Sequence, residues 1–265
     1  MKEVLQDVRT LFWFIYKGPS YYPSLIEYVK RKFLFNHDND QSKNLAEAWC
    51  KQHSSSLEDI FASIGFSSDF KKGLDDKYIK DKFKEIGISR SNFGGGGHHD
   101  LLFNICENIN AKYCLETGVA YGWSSEAILK SIVKRGGQLI SVDMPMIGQT
   151  DYHLIGFVVS DQHKDHWKLL RKPDKNGLIN AINHSKNKEF DFIHYDSDKS
   201  YYGRKWAQPI MYRNLRDGGF LISDDIEDNL AFKEFVEDNN LEFYVTEYNS
   251  RYIGIIKKES KKYEK

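Results

Sequence analysis

Cysteine is scarce in this chain: three residues in 265, at Cys50, Cys106 and Cys114. They are odd in number, far apart and without zinc-ligand spacing, which argues against a disulfide framework and fits a reducing compartment. Excess charge of either sign is also missing, since Lys+Arg and Asp+Glu both total 38. A balanced chain lacks the basic footprint of a nucleic-acid binder and the acidic block of a disordered tail. Long apolar runs are absent too. The longest near the N-terminus, Leu11–Tyr16, falls far below the roughly 20 residues of a membrane span, and no signal peptide is read there. These absences point to a cytoplasmic chain with no nucleic-acid partner and no stable membrane insertion. No internal repeat occurs. The length suits one good-sized domain, or one with a smaller appendage, and permits a sizeable core.

What is present is organised around residues 112–144. Tyr113-Cys114-Leu115 is a short apolar strand ending at Glu116. Thr117-Gly118-Val119-Ala120-Tyr121-Gly122 follows, where glycine allows a tight turn and close approach of a ligand to the main chain. Ser124 and Ser125 are N-cap types with Glu126 behind them, so a helix is expected to about Lys134. Leu139–Val142 is the next strand, closed by Asp143. A glycine turn into a helix, with an acid after the next strand, suits a nucleoside-containing ligand whose ribose hydroxyls the acid accepts. Glu116 would repel a pyrophosphate and would suit a cationic amino-acid part. A strand–helix–strand unit with tight turns and no ligand produces the same pattern.

The first 92 residues read as a helical appendage or lid. Val4, Leu5, Val8, Leu11, Phe12 and Ile15 share one helical stripe, and Pro23 opens a second helix with Lys30, Arg31 and Lys32 near its end. This pair suits a lid or homodimer element, or rest on a membrane surface. Helices are expected over 43–53, 57–64 with a Ser56/Asp59 capping box, and 76–86. Gly94–Gly97 with His98 and His99 reads as a hinge or lid, or as a plain joint, before a helix at 101–109. Residues 93–258 form the second unit and 259–265 a charged tail. His153, His163 and His166 lack clean metal spacing and read as structural or exposed.

Further on, Trp167–Leu170 reads as a strand, 171–177 as a loop containing Asp174, and 178–184 as a helix. Phe190–Tyr195 is a strand followed by Asp196-Ser197-Asp198-Lys199, then a helix over 202–215. Phe220–Ser223 is a strand capped by Asp224-Asp225, a helix is expected over 229–240, and 243–248 with 252–256 reads as a terminal hairpin. Parallel strands place their C-terminal ends side by side, so Asp196, Asp224 and Asp225 should share a cleft with Gly118 and Asp143. Converging carboxylates repel unless a hard cation sits among them, and oxygen ligands suit magnesium, with manganese or calcium as alternatives. Solvated loop acids and helix caps are the bland alternative.

The Glu116-x-Gly118-x-x-x-Gly122 pattern resembles motif I of class I S-adenosylmethionine (SAM)-dependent methyltransferases. DFIHYDSDKSY with RDGGFLISDDI resembles two metal-dependent O-methyltransferase groups, the catechol and caffeoyl-CoA type and the bacterial sugar and antibiotic type. Asp225 stands where the first has asparagine, and Lys199 where the second has histidine. The resemblance covers roughly residues 98–258. It implies an α/β, Rossmann-like, seven-stranded, mostly parallel sheet with an antiparallel C-terminal hairpin. It also implies a SAM-dependent O-methyltransferase acting on a hydroxyl of a small molecule such as a sugar, nucleotide-linked sugar or glycan precursor. Glu116, Gly118, Ala120, Gly122, Ser124, Asp143 and Asp174 would then hold SAM. Asp196, Asp224 and Asp225 would hold a divalent metal, and Lys199 or Asp196 would handle the proton. Rival readings are a metal-free transferase using His98, His99 or His194, a nicotinamide-dependent oxidoreductase, and a non-catalytic binding module.

Overall fold

A computed structural model describes residues 2–33, 36–67, 69–87, 97–145, 151–185 and 188–259. Of the expected glycine hinge only Gly97 falls among them, and residues 260–265 of the charged tail lie outside them.

Seven strands form one sheet: β1 (Tyr113–Thr117), β2 (Gln138–Val142), β3 (Trp167–Leu170), β4 (Phe190–Tyr195), β5 (Leu215–Ser223), β6 (Glu242–Tyr248) and β7 (Arg251–Lys257). Their order is β3-β2-β1-β4-β5-β7-β6. The first five are parallel, and β7 runs antiparallel to both β5 and β6. The expected sheet, hairpin included, is therefore the one found. Its central strands carry apolar residues towards both faces because both are covered. In β1, Leu115 joins the layer formed by Leu178, Ala207 and Phe232, while neighbouring Cys114 joins Leu101, Ile128 and Phe192 on the other side.

Ten helices surround the sheet. They are α1 (Lys2–Lys17), α2 (Tyr22–Phe33), α3 (Asp40–His53), α4 (Leu57–Ser63), α5 (Asp76–Ile86), α6 (His99–Asn108), α7 (Trp123–Ile132), α8 (Asp174–His184), α9 (Tyr201–Arg213) and α10 (Ala231–Asp238) among the described residues. The Ser56 cap forms as expected, accepting from the Asp59 amide. Helices from the first 92 residues share cores with the sheet: Trp49 and Cys50 of α3 on one face, Ile60 and Phe61 of α4 on the other.

Three local expectations change. Helix α8 begins at Asp174, so the expected 171–177 loop is shorter. Gly177 is not a turn residue; a Cβ there would lie 2.2 Å from Val142 Cγ1, so its smallness lets α8 lie close on β2. The N-cap of α7 is Gly122, in the left-handed region at φ 94°, and Ser124 and Ser125 lie inside the helix. Strand β5 starts at Leu215 and runs through Gly218-Gly219, because the Gly218 amide donates to the Lys258 carbonyl. The stripe of α1 read as a lid or dimer element lies on an outer face. Val8, Phe12 and Ile15 are exposed while Phe14 is buried.

Candidate active site

Main-chain hydrogen bonds continue past the last paired residues of the parallel strands and draw their ends together. The Asp143 amide donates to the Leu170 carbonyl, Gly118 to Val142, Asp196 to Thr117, and Asp224 to Tyr195, at 2.8–3.1 Å. Four successive loops thus leave the sheet side by side, as parallel topology requires. Glycine is needed at 118 for two reasons: φ is +84°, and a Cβ would lie 2.2 Å from the Asp196 carbonyl oxygen. Ala120 also sits in the left-handed region, at φ 49°. Gly122 serves packing: a Cβ there would lie 2.9 Å from Gly156 Cα.

Asp143 fixes the turn. Its Oδ2 accepts from the amides of Val119 at 2.9 Å and Ala120 at 3.1 Å, and Arg171 pairs with Oδ1. Burial pushes its carboxyl up, and the two amides and Arg171 oppose that shift. Asp174, in the first turn of α8, accepts from the Ser197 hydroxyl and the Asp198 amide. Burial pushes its pKa up to about 7.

Glu116 is fully buried beneath the strand ends and turns to protein partners. Its Oε2 accepts from the hydroxyls of Ser125 at 2.5 Å and Ser141 at 2.8 Å. His194 stands between Glu116 and Asp224, 3.5 Å from each. Burial pulls its imidazole down, but the two carboxylates outweigh burial and raise it to about 10.

The acids of the second half meet a lysine. Lys199 Nζ lies 2.8 Å from Asp196 Oδ1 and also bonds Asp225 Oδ2. Asp225 takes Arg251 Nε on its other oxygen at 2.7 Å and is itself in the left-handed region, at φ 53°. Burial raises the Asp225 carboxyl, yet Arg251 and Lys199 prevail and hold it at about 2. Burial and neighbouring Asp224 push Asp196 up to about 6, against the pull of Lys199. Burial lowers Lys199, but its two carboxylates raise it further, the opposite bias from the one a neutral amine base requires. Below them Arg204, fully buried, donates to Ser223 Oγ and to the carbonyls of Asp224 and Asp225 at 2.8–2.9 Å. Neither Arg204 nor Arg251 was singled out by sequence reasoning, because no motif marks an arginine that acts through tertiary placement.

The expected cation cage does not fit this arrangement. Both Asp225 oxygens are engaged by side-chain cations, and the Lys199 ammonium occupies the space between Asp196 and Asp225. Among the described residues no group of three or more acids, histidines or cysteines is set to hold a metal.

A cavity of about 1020 Å³ runs over these loops. Gly118, Ala120, Asp143 and Asp174 line one part; Asp196, Lys199, Asp224 and Asp225 line another. Glu116, Gly122 and Ser124 do not line it. Helices α1 and α2 contribute Phe14, Glu27, Tyr28 and Arg31, and α6 contributes His99. Burial lowers His99 to about 4, leaving its imidazole neutral at pH 7, and its buried Nε2 has no hydrogen-bond partner among the described residues. The cavity fits a nucleoside cofactor: its size admits one with a small second ligand, and the Gly118 turn borders it beside the Asp143 carboxylate. No helix among the described residues is long and apolar enough to cross a membrane.

Residues 115–226 match a family model described as a methyltransferase domain. Comparison with curated proteins gives no match. Among solved structures, the chain is similar to cofactor-bound Rv0187 from MTB, at 13% identity, covering 78% of this chain and 100% of that one with a TM-score of 0.55. It is also similar to an O-methyltransferase from Bacillus cereus in complex with SAH, at 14% identity, with 79% and 100% covered and a TM-score of 0.53. A third is the O-methyltransferase TomG from Streptomyces achromogenes, involved in tomaymycin synthesis and in complex with SAM, at 12% identity, with 79% and 98% covered and a TM-score of 0.54. Residues 115–226 thus resemble a methyltransferase domain, and the chain shares the fold of the two O-methyltransferase structures.

Proposed function

We propose that this chain is a SAM-dependent methyltransferase that acts on a hydroxyl of a small polyhydroxyl acceptor, of the sugar or nucleotide-linked sugar class. The observation that carries the reading is the single cavity joining the Gly118–Asp143 turn to the Asp196–Lys199–Asp225 cluster. SAM supplies an electrophilic methyl group on a sulfonium. The chain's residues have three tasks. Asp143 presents a carboxylate to the ribose while holding the turn at Val119 and Ala120. Asp196 accepts the hydroxyl proton from the acceptor, and Lys199, clamped by Asp225, fixes its orientation. The loops bring the two ligands into line, where most of the rate gain arises. The Lys199 ammonium balances the acids in place of a divalent cation.

A second reading places the proton on His99, whose neutral imidazole borders the same cavity and whose Nε2 has no partner among the described residues. Transfer of labelled methyl from SAM to a panel of hydroxyl acceptors tests the proposal. Labelled product with Asp196→Asn inactive and His99→Gln active supports Asp196; the reverse pattern supports His99. Labelling of amines alone would remove the hydroxyl assignment.

A further inference from the structure

Helix α2 crosses the cavity's rim. Near its start the Ser20 carbonyl accepts from Asn176 in α8; near its end Arg31 Nη1 lies 3.9 Å from Asp198 Oδ1. Between them Glu27 points into the cavity with a side chain only 8% exposed. Its Oε2 pairs with Lys175 at 2.8 Å, while its Oε1 is buried with no partner among the described residues. A buried acceptor without a donor is unfavourable, and a bound ligand that supplies an N–H or O–H relieves it.

We propose that Glu27 recognises the adenine amino group of the cofactor, which makes the N-terminal helical pair part of the SAM site. The inference rests on the SAM reading. Of the donors on that cofactor, the ribose hydroxyls belong to Asp143 and the amino-acid part to the Gly118 turn. The adenine amine is the donor left over: with the amino-acid part over the end of β1 and the ribose over that of β2, the base would fall over the end of β3, where Asp174 and Lys175 line the cavity. Asp174 turns its Oδ2 to Ser197 and Asp198, and at that end of the cavity the buried carboxylate oxygen without a partner among the described residues is Glu27 Oε1. The surroundings suit a flat heteroaromatic ring: Phe14, Tyr28 and Trp206 line the same cavity, and Lys175 Nζ lies 5.5 Å from the Trp206 ring centroid.

Calorimetric titration of the full chain with S-adenosylhomocysteine and with S-inosylhomocysteine, which has a carbonyl in place of the amine, tests this. The wild type should prefer the adenosyl ligand by about thirtyfold or more, the scale of a hydrogen bond to a charged group. Glu27→Met should cut that ratio at least tenfold with an unchanged fold by circular dichroism. Glu27→Asp, which withdraws the carboxylate by one methylene, should cut it about fivefold and carries the test if Glu27→Met does not fold. A wild-type ratio in the variants would overturn the assignment while leaving SAM binding intact. A wild type that binds neither ligand would remove the SAM reading itself.

Discussion

Gly118 and Asp196 meet backbone to backbone: a Cβ on the first would stand 2.2 Å from the carbonyl oxygen of the second. The contact joins the glycine turn after β1 to the acidic loop after β4, on which both halves of the proposed site depend. Gly118→Ala should therefore do more than restrict the turn. It is expected to destabilise the fold by about 2 kcal/mol or more, from positive φ and steric overlap together, and to abolish cofactor binding. Urea melts and S-adenosylhomocysteine titration check it; a variant of wild-type stability and affinity would contradict the packing argument.

Asp196 and Asp143 should separate chemistry from binding. Asp196→Asn is expected to lower methyl transfer by roughly 100-fold or more while S-adenosylhomocysteine affinity stays within about threefold. Asp143→Ala should do the reverse, weakening affinity at least about tenfold. Matched affinity and rate losses in both variants would mean the two acids do not divide the cavity as described.

Excess chelator should leave turnover and thermal stability unchanged, since Lys199 and Arg251 already neutralise Asp225 and Lys199 reaches Asp196. Loss of activity in chelator, restored by magnesium, would show that Lys199 gives way to a cation.

Two partly buried carboxyls set opposite pH trends. Asp174 is raised by burial from 3.8 to about 7, so its contribution to stability is complete below about pH 3.8 and is lost as pH rises through 7. Asp225 is held at about 2 by Arg251 and Lys199 despite burial, so its contribution is present above about pH 3.8 and is lost as pH falls towards 2. Asp174→Asn should flatten the fall in melting temperature between pH 5 and 8. A fall as steep as in the wild type would assign that trend to other groups.

Much of this site could be read in advance because the signals are local. An acid after an apolar strand must leave the sheet at its C-terminal edge, and that rule brought Asp143, Asp196 and Asp224 together. What failed depends on tertiary placement. Asn176-Gly177 carries turn chemistry, yet Gly177 is there to admit Val142 against α8. Glu116 is acidic beside a ligand-binding turn, but Ser125 and Ser141 claim it from elements the strand cannot foresee. The carboxylate cluster suggested a metal because its neutralising arginine, Arg251, arrives from β7, 26 residues beyond Asp225. The part played by α2 was invisible because an amphipathic pattern does not say what its polar side will meet.

The most direct test is a paired titration of the purified chain with SAM and with NADH. The account predicts one-to-one binding of SAM, weakened at least about tenfold in Asp143→Ala, and no saturable binding of NADH. Saturable NADH binding with none for SAM would contradict it.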